Sequence, residues 1–360
     1  MRLIECVPNF SVGRDLQTVH RIRTAIAESP GARVLDHSSD ASHNRSVITF
    51  MAPPDCVGEA AFNSIAAARD LIDMRSHLGV HPRIGAADVV PFVPLGNVTM
   101  EECAAVAREV GERVGRELEI PVYLYGEAAT RPERRQLVNV RRGQLEGLTT
   151  LIGTDPMRAP DYGPRRMHST FGAVAIGARK ILVAFNVYIG DTSAMPVARE
   201  VAKAVRESSG GLPGVRALAL EVDGQAQVSM NLVDLEQTSV HEAFAAVARE
   251  AGQRGAQVTW SELIGLMPES QAIASAAGSL AMRDFHAGRV LDRRVREESV
   301  NAAVSRLMAQ LDREKAPAMS AELLRAVADL VEAGGNGDAA ARLRAHPASN
   351  ESAMPHERSE

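Results

Sequence analysis

The stretch HPRIGAADVVPFVP, residues 81–94, places a histidine and an arginine in the last loop before an apolar strand. Pro82 disfavours a helical backbone at His81, so the imidazole lies beyond the end of the preceding helix and can project into a cleft. With an ordinary pKa of about 6.5, an imidazole can both accept and donate a proton near neutral pH. The spacing makes His81 a candidate general acid and base; the alternative is a loop histidine that caps the preceding helix.

His77 and His81 stand four residues apart, a spacing that on a helix would bring two imidazoles close enough to share a metal ion. Gly79 and Pro82 interrupt a helix at this point, and no glutamate follows His77 as it does in zinc-protease helices. The sequence therefore predicts no metal site here.

Two polar segments near the N-terminus carry further candidates. Residues 5–14, ECVPNFSVGR, end a strand in a turn that presents Asn9, although Ser11 acting as a helix N-cap explains the same turn. Residues 36–46, DHSSDASHNRS, join two strands and would serve either as a solvated hairpin loop or as a binding loop. The charged and amide side chains of this second segment are Asp36, Asp40, His43, Asn44 and Arg45.

Two later segments combine turn residues with charges. In YGEAATRPERR, residues 125–135, Glu127 follows a strand as a candidate cleft carboxylate, whereas the basic run after it is typical of a solvated helix face. PDYGPRRMHSTFG, residues 160–172, contains the pair Arg165 and Arg166, and arginine forks match carboxylates with two parallel hydrogen bonds. Exposed arginines on a rigid linker are the alternative, but the position between two domain-like halves favours ligand contact.

Composition limits the class of protein. The chain has 360 residues, is 45% hydrophobic and carries a net charge of −5, which suits two globular domains and argues against a nucleic-acid-binding surface. It lacks an apolar run of about 18 residues, so no membrane-spanning helix is expected. Three cysteines without a CxxC pair, and an N-terminus too interrupted for a signal peptide, predict a cytoplasmic protein.

Hydrophobic periodicity predicts an alternation of strands and helices. Thr99 begins one helix, because Glu102 three residues later completes a capping box. A charged helix is expected up to about residue 142, and residues 146–178 are expected to form a long loop with a linking strand. The predicted strands are 3–8, 33–36, 46–52, 88–94, 120–125, 180–189, 215–223, 226–234 and 255–263, and the other helices are 15–28, 54–74, 193–208, 238–253, 300–312 and 320–333.

The order of these elements predicts an α/β fold of the α+β type. Residues 180–263 follow the β-α-β-β-α-β order of a ferredoxin-like unit, with a hairpin around Gly224, and the first half has a related but longer order. We expect two ferredoxin-like-related subdomains, residues 1–178 and 179–299, whose mixed sheets face each other across a ligand cleft. Residues 300–360 are expected to form a helical and then disordered tail.

Several motifs, taken in their order along about residues 2–295, resemble glutamate formiminotransferase, which in animals is the N-terminal part of formiminotransferase-cyclodeaminase. The motifs are ECVPNFS (5–11), HNRSVITF (43–50), LIDMRSHLGVHPRIGAADVVPFVP (71–94), NVTMEEC (97–103), PVYLYGEAA (121–129), APDYGP (159–164), ARKILVAFNV (178–187), QVSMNL (227–232) and SELIGLMP (261–268). Nothing after residue 300 resembles the cyclodeaminase, so no deaminase activity is expected.

The resemblance implies transfer of a formimino group from N-formimino-L-glutamate to N5 of tetrahydrofolate, in histidine breakdown. Tetrahydrofolate is then a co-substrate, no metal is required, and the protein is a homodimer. Composition, not the resemblance, is the reason to expect neither a nucleic-acid nor a membrane partner. The resemblance also makes His81 the catalytic histidine. It assigns folate contact to Gly163, Pro164, Arg165, Arg166, Met167, His168, Ser169, Thr170, Phe171 and Gly172.

The chemistry of such a transfer suggests roles for other candidates. One imidazole at position 81 can take the proton that N5 loses and return it to the departing glutamate amine. A carboxylate, with Asp40 as the first choice beside Asp36 and Glu127, would favour the cationic formimino group. Asn9, Arg45 and Arg83 are further substrate-contact candidates, the arginines because both substrates carry carboxylates.

The sequence departs from the usual family pattern at two positions. Val12 and Ser38 stand where the family commonly has acidic residues. Two alternatives therefore stay open: a related folate-dependent transferase of formyl or another one-carbon unit, and a folate-binding protein without catalysis.

Overall fold

The computed structural model describes residues 2–79, 81–282, 285–314, 321–333 and 337–345. The strands are β1 (Arg2–Cys6), β2 (Asn9–Phe10), β3 (Arg33–Asp40), β4 (Arg45–Ala52), β5 (Ala87–Gly96), β6 (Val122–Gly126), β7 (Val174–Ala178), β8 (Val183–Asp191), β9 (Val215–Val222), β10 (Gln225–Leu232) and β11 (Trp260–Ile264). The helices are α1 (Leu16–Ala27), α2 (Pro54–Leu71), α3 (Met100–Glu117), α4 (Leu137–Val140), α5 (Gln144–Leu151), α6 (Met195–Val205), α7 (Val240–Gln253), α8 (Glu269–Ser279), α9 (Leu291–Glu314), α10 (Ala321–Ala333) and α11 (Gly337–Ala345). The predicted α/β class is confirmed.

The first sheet is mixed and follows the order β1-β4-β2-β5-β7-β6, with β3 added beside β4. Strands β5, β7 and β6 are parallel, whereas β1 to β4 pair antiparallel. Helices α1, α2 and α3 cover one face and bury its alternate side chains, such as Ile4, Ile48 and Phe92. The capping box at Thr99 is confirmed, because its side chain accepts from the amide of Glu102 while the Glu102 carboxylate accepts from the amide of Thr99.

The second sheet is antiparallel and follows the order β11-β8-β10-β9. This is the strand order of the predicted ferredoxin-like unit, with α6 and α7 as its two helices. Because strand side chains alternate between faces, Val183, Phe185 and Val187 pack under the helices while Ala184 and Asn186 point to the other face. The β9–β10 hairpin turns at Asp223 and Gly224, both with positive φ, as expected of a two-residue turn.

The predicted charged helix before residue 142 is wrong. A 3₁₀ turn at Pro132–Arg135 and the short α4 take its place, and two arginines of this stretch bond inward while Arg135 and Arg142 stay exposed. Arg134 is 3% exposed and pairs with Asp161, and Arg141 reaches the buried carboxylate of Asp88. Periodicity alone does not register such long-range pairing.

Two other boundaries differ from the prediction. Residues 146–178 are mainly loop, as predicted, and β7 is the linking strand, but α5 at the start of this range was not expected. The strands β3 and β4 continue through most of the polar segment 36–46 and leave only residues 41–44 as the turn. Polar residues therefore occupy strand positions here, and a prediction from the hydrophobic pattern makes these strands too short.

The chain forms two compact units, of which Leu3–Ala281 contains both sheets. The other contains the C-terminal helices, whose core includes Val304, Leu324 and Leu343. Helices in the predicted ranges 300–312 and 320–333 are confirmed as parts of α9 and α10, whereas α11 was not expected. The polar tail predicted to be disordered lies outside the described residues. No helix in the described part of the chain is long and apolar enough to cross a membrane.

Candidate active site

A cavity of about 370 Å³ lies between the two sheets, within the unit Leu3–Ala281. The first sheet contributes the side chains of β1, β4 and β5 that point away from α1, α2 and α3, and the second contributes the uncovered face of β8, β10 and β11. The polar and charged side chains of the lining are Glu5, Asn9, Ser38, Ser39, Asp40, His43, Arg45, Thr49, His81, Tyr125, Arg135, Arg141, Arg179, Lys180, Asn186, Arg216, Ser229, Asn231 and Glu262.

His81 lines this cavity, and one of its ring nitrogens is fixed by the backbone. Nδ1 lies 2.7 Å from the carbonyl oxygen of Pro82, which can only accept a hydrogen bond. Nδ1 therefore carries the proton of the neutral ring and Nε2 carries the lone pair. Nε2 makes no hydrogen bond to a described residue. The ring is thus oriented with a free basic nitrogen.

The surroundings of His81 oppose its protonation. Burial lowers the pKa of His81, the positive charges of Arg45 and Arg141 lower it further, and together they bring it to about 2 although Asp88 acts in the opposite direction. The imidazole is consequently neutral at physiological pH. A neutral imidazole with an exposed lone pair can take a proton from a bound nucleophile.

The two arginines near His81 are held by one buried carboxylate. Asp88, which is fully buried, accepts from Arg45 Nη1 at 2.8 Å, from Arg141 Nη2 and from the amide of Ile84 at 2.9 Å. Burial alone would raise the pKa of Asp88, but Arg141 and Arg45 lower it to about 2. The cluster therefore keeps one net positive charge, and Arg141 Nε has no hydrogen-bond partner in the described structure.

A second histidine lies beside His81 in the cavity. The ring centroids of His43 and His81 are 6.1 Å apart, in an edge-on arrangement. Asp40 Oδ2 lies 2.8 Å from His43 Nδ1, and Asp40 Oδ1 accepts from the His43 amide at 2.7 Å. The turn between β3 and β4 thus presents a carboxylate and an imidazole together, next to the ring of His81.

The opposite wall contributes a carboxylate from the second sheet. Glu262 accepts from Asn186 Nδ2 at 3.2 Å, and the Tyr188 hydroxyl lies 3.5 Å from the same carboxylate oxygen. Gln227 donates to the Tyr188 hydroxyl at 2.6 Å, which fixes the phenol from behind. The uncovered face of this sheet is therefore a connected polar surface.

Positive charge predominates in the cavity. In the described lining, six side chains are cationic (Arg45, Arg135, Arg141, Arg179, Lys180 and Arg216) and three are carboxylates (Glu5, Asp40 and Glu262). Burial raises the pKa of Glu5, although Arg179 opposes this shift. The excess of cations over carboxylates suits ligands with several carboxylates. No group of three or more His, Cys, Asp or Glu residues in the described chain could hold a metal ion.

The structure brings some of the sequence candidates together and separates others. His81, Asp40, Asn9 and Arg45 all line the cavity, and Asn9 Oδ1 accepts from Arg45 Nη2 at 3.0 Å. Arg83 is outside the lining; it forms an ion pair with Glu146 at 2.8 Å and donates to His77 Nδ1 at 3.4 Å. Glu127, also outside, lies 3.6 Å from Arg135 and is half exposed.

The segment Gly163–Gly172 also lies outside the cavity lining. Its second half forms a tight turn in which His168 and Gly172 exchange backbone hydrogen bonds, and Phe171 is buried. The Phe171 carbonyl accepts from the amide of Ala86, so the segment packs against the strand that follows His81. Arg165 and Arg166 are exposed.

Several lining residues were not singled out from the sequence. Arg141 and Glu262 come from regions that read as a solvated helix face and as an ordinary strand. Alternation along β11 places Trp260, Glu262 and Ile264 on the same, uncovered face of the sheet. This alternation is visible in the sequence and could have identified Glu262. Asp88 lies in the quoted stretch 81–94, but only its complete burial reveals its pairing role. Of the two family departures, Ser38 lines the cavity and Val12 is buried in the core.

Comparison with known proteins gives one consistent result. A family model described as the formiminotransferase domain, N-terminal subdomain, matches residues 3–179, and a model described as the formiminotransferase domain matches residues 184–308. Glutamate formimidoyltransferase of Streptococcus pyogenes is 43% identical over 79% of this chain and 95% of its own length. The enzyme of that name from Thermoplasma acidophilum is 45% identical over 84% of this chain and 99% of its own. Formimidoyltransferase-cyclodeaminase of Rattus norvegicus is 40% identical over 77% of this chain, which spans about half (52%) of that protein.

Proposed function

Because the chain belongs to the formiminotransferase family, we propose that it transfers the formimino group of N-formimino-L-glutamate to N5 of tetrahydrofolate, with His81 as general acid and base. Both relatives matched over nearly their whole length carry the name glutamate formimidoyltransferase. The observation that supports the role of His81 is its free Nε2 in a cation-rich cavity between the sheets.

The reaction begins when N5 of tetrahydrofolate attacks the formimino carbon. The new C–N bond leaves N5 positively charged, so its proton becomes acidic enough for a weakly basic imidazole to remove. His81 Nε2 is the acceptor in this proposal, and the Nδ1 contact with Pro82 keeps the accepting nitrogen in place. The bond from the carbon to the glutamate nitrogen then breaks, and that nitrogen gains a proton. In the simplest scheme, His81 returns the proton it has taken.

Cationic side chains bind the carboxylates of both substrates in this proposal. Glutamate carries two carboxylates and folate ends in a glutamyl group, so arginine and lysine side chains of the lining are the matching partners. Arg45 and Arg141 are the cations whose charges lower the pKa of His81, and both form ion pairs with Asp88. A bound carboxylate near them would partly cancel their charge and make His81 a stronger base when substrate is present.

A panel of donors tests the proposed activity. Purified protein is mixed with tetrahydrofolate and, in separate assays, with formiminoglutamate, formylglutamate or formate. Only formiminoglutamate is expected to form 5-formiminotetrahydrofolate. His81→Ala should lower kcat about 100-fold or more and leave folate affinity within a few fold, because the lost group moves a proton and binds little. His20→Ala, on the outer surface of α1, is the matched control.

Each alternative has its own outcome in this panel. Comparable transfer from formylglutamate would favour a formyl transferase, and tight folate binding without turnover of any donor would favour a binding protein. Full activity of His81→Ala would remove the histidine from the mechanism while leaving the reaction in place.

The proposal includes the homodimer, the cytoplasmic location and the folate contacts at Gly163–Gly172 that the family resemblance implies. Sedimentation of the purified chain should give twice the monomer mass of 38.5 kDa, and a monomer at assay concentration would contradict the dimer. Arg165→Gln together with Arg166→Gln should weaken folate binding if the exposed arginines of this segment touch the folate tail.

A further inference from the structure

The second imidazole in the cavity has no role in the simplest scheme. His43 lines the cavity beside His81, and its side chain is 12% exposed. Within the described part of the chain, its Nε2 makes no hydrogen bond, and its ring is bound only through the Nδ1 contact with Asp40. A side chain that lines a ligand cavity, held through one ring nitrogen and with the other free of hydrogen bonds to the described residues, has the arrangement of a proton-transfer group.

The backbone around His43 is fixed by several independent contacts. Asp40 holds both the ring and the amide of His43. Asn44 has a positive φ of 46°, and its side-chain oxygen accepts from the amide of Gly13 at 2.9 Å. His77 Nε2 lies 3.0 Å from the Asn44 carbonyl oxygen. Hydrogen bonds to three other parts of the chain therefore hold this turn in place.

The two imidazoles have different electrostatic surroundings. Positive charges and burial keep His81 neutral. His43 instead lies against the carboxylate of Asp40, which compensates positive charge whenever both nitrogens of His43 carry protons. One ring thus lies among cations, whereas the other is oriented by a carboxylate. A single ring would have to do both with one free nitrogen, since Nδ1 of His81 is committed to Pro82.

We propose that His43 is the general acid of the reaction and that Asp40 is its positioning residue. This assignment rests on the proposed formimino transfer and divides between two residues the roles that the simplest scheme gives to His81. His81 Nε2 accepts the proton of N5 as the bond from N5 to the formimino carbon forms. His43 Nε2 donates a proton to the glutamate nitrogen as the bond from that nitrogen to the same carbon breaks. After release of glutamate, His81 loses its proton to solvent and His43 gains one from it, so the cycle balances.

The basicity of the leaving amine provides the test. N-formimino-L-glutamate is compared with N-formimino-4,4-difluoro-L-glutamate, a near-isosteric donor whose amine is less basic because fluorine withdraws electrons. Such an amine still gains a proton as it leaves, but its departure depends less on proton donation by an acid. For His43→Ala we expect kcat with the natural donor to fall about 100-fold, and this deficit to shrink about tenfold or more with the fluorinated donor. KM and folate affinity should change little.

The other variants separate an acid from a structural residue. His81→Ala should show the same deficit with both donors, because N5 must lose its proton in either case. Asp40→Asn should lower kcat with the natural donor less than His43→Ala does, and this deficit should also shrink with the fluorinated donor. His37→Ala, an exposed histidine on the same strand β3, should match the wild type with both donors. His43→Gln is measured in parallel in case the alanine variant unfolds.

Three results decide the inference. A deficit of His43→Ala that is equal for both donors would overturn it, since a damaged cavity slows both alike. A deficit below about threefold with the natural donor would overturn it as well. If instead the wild type forms no 5-formiminotetrahydrofolate from either donor, the proposed function itself fails and His43 has no reaction to serve.

Discussion

At the scale of single residues, the neutral, Nδ1-protonated state of His81 depends partly on neighbours that are distant in the sequence. Pro82 supplies the carbonyl that selects the Nε2 lone pair, but burial, and after it the charges of Arg45 and Arg141, lower the pKa of His81 and keep the ring neutral. Both arginines are present at this point because Asp88 is buried with them and needs their charge. The cluster therefore has a structural function and an electrostatic one.

This environment predicts the titration of His81. The pKa of His81 is lowered to about 2, so its imidazole should stay neutral and protonated on Nδ1 from about pH 5 to 8. Selective ¹⁵N labelling of histidine, with His81→Gln for assignment, measures this directly. Arg141→Gln should raise the pKa of His81, because one of the two cations is gone. A midpoint near 6.5 in the wild type would contradict the prediction.

The lowered pKa of His81 also determines the direction in which the stability of the folded chain changes with pH. The pKa is depressed on folding, so below about pH 6.5 the unfolded chain binds a proton that the folded chain refuses. The contribution of His81 to stability is therefore complete above that pH and is lost as the pH falls.

At the scale of elements, the site depends on two turns that interlock. The β3–β4 turn carries His43, and the segment between α2 and β5 carries His77, Gly79 and His81. A Cβ atom at Gly79 would lie 2.3 Å from the carbonyl oxygen of His43, a distance that forces one of the turns to move. Close approach of the two backbones is thus the reason for glycine at this position.

Gly79→Ala should therefore separate the two turns. We expect kcat/KM to fall roughly ten- to a hundredfold, since a displacement of about 1 Å in a catalytic group can have this effect. Gly147→Ala is the matched control, because a Cβ at Gly147 in α5 would touch nothing within 4 Å. That control should keep full activity and gain up to about 1 kcal/mol of stability from helix propensity. An active Gly79→Ala enzyme would show that the two turns are positioned independently.

At the scale of the whole molecule, the cavity has the opposite charge to the chain. The net charge is −5, yet six cationic side chains and three carboxylates make up the charged part of the described lining. Arg45 and Arg216 lie on strands of the two sheets, and the other four cations come from the connections after β6 and after β7. The field inside the cavity should therefore attract substrates with several carboxylates despite the negative chain.

A higher ionic strength should weaken substrate binding more than it slows the chemical step. Raising NaCl from about 20 to about 300 mM shortens the range of electrostatic attraction, so KM for formiminoglutamate should rise while kcat changes little. Arg216→Gln should reduce this salt dependence because Arg216 lines the cavity. Lys203→Gln, exposed on α6 and outside the lining, should leave it unchanged. A KM that does not respond to salt would contradict an electrostatic role for the lining.

Local sequence determined much of this protein. The alternation in β8, β10 and β11 gives one apolar and one polar face, the capping box begins α3, and the β-α-β-β-α-β order yields the second sheet. Pro82 disfavours a helical backbone at His81, and α2 has already ended at Leu71. These features depend on interactions between residues close together in the chain, so their pattern is readable from the sequence.

Tertiary structure decided which charged groups meet. Arg141 lies 53 positions from Asp88 and joins it only because the chain folds across the first sheet, and Glu262 lines the same cavity as His43 only because a second sheet is packed opposite. Arg83, two residues after the catalytic candidate in sequence, lies outside the cavity lining and pairs with Glu146. Sequence proximity does not fix the direction of a long side chain, whereas burial of a charge requires a partner, and that requirement is met only in the folded molecule.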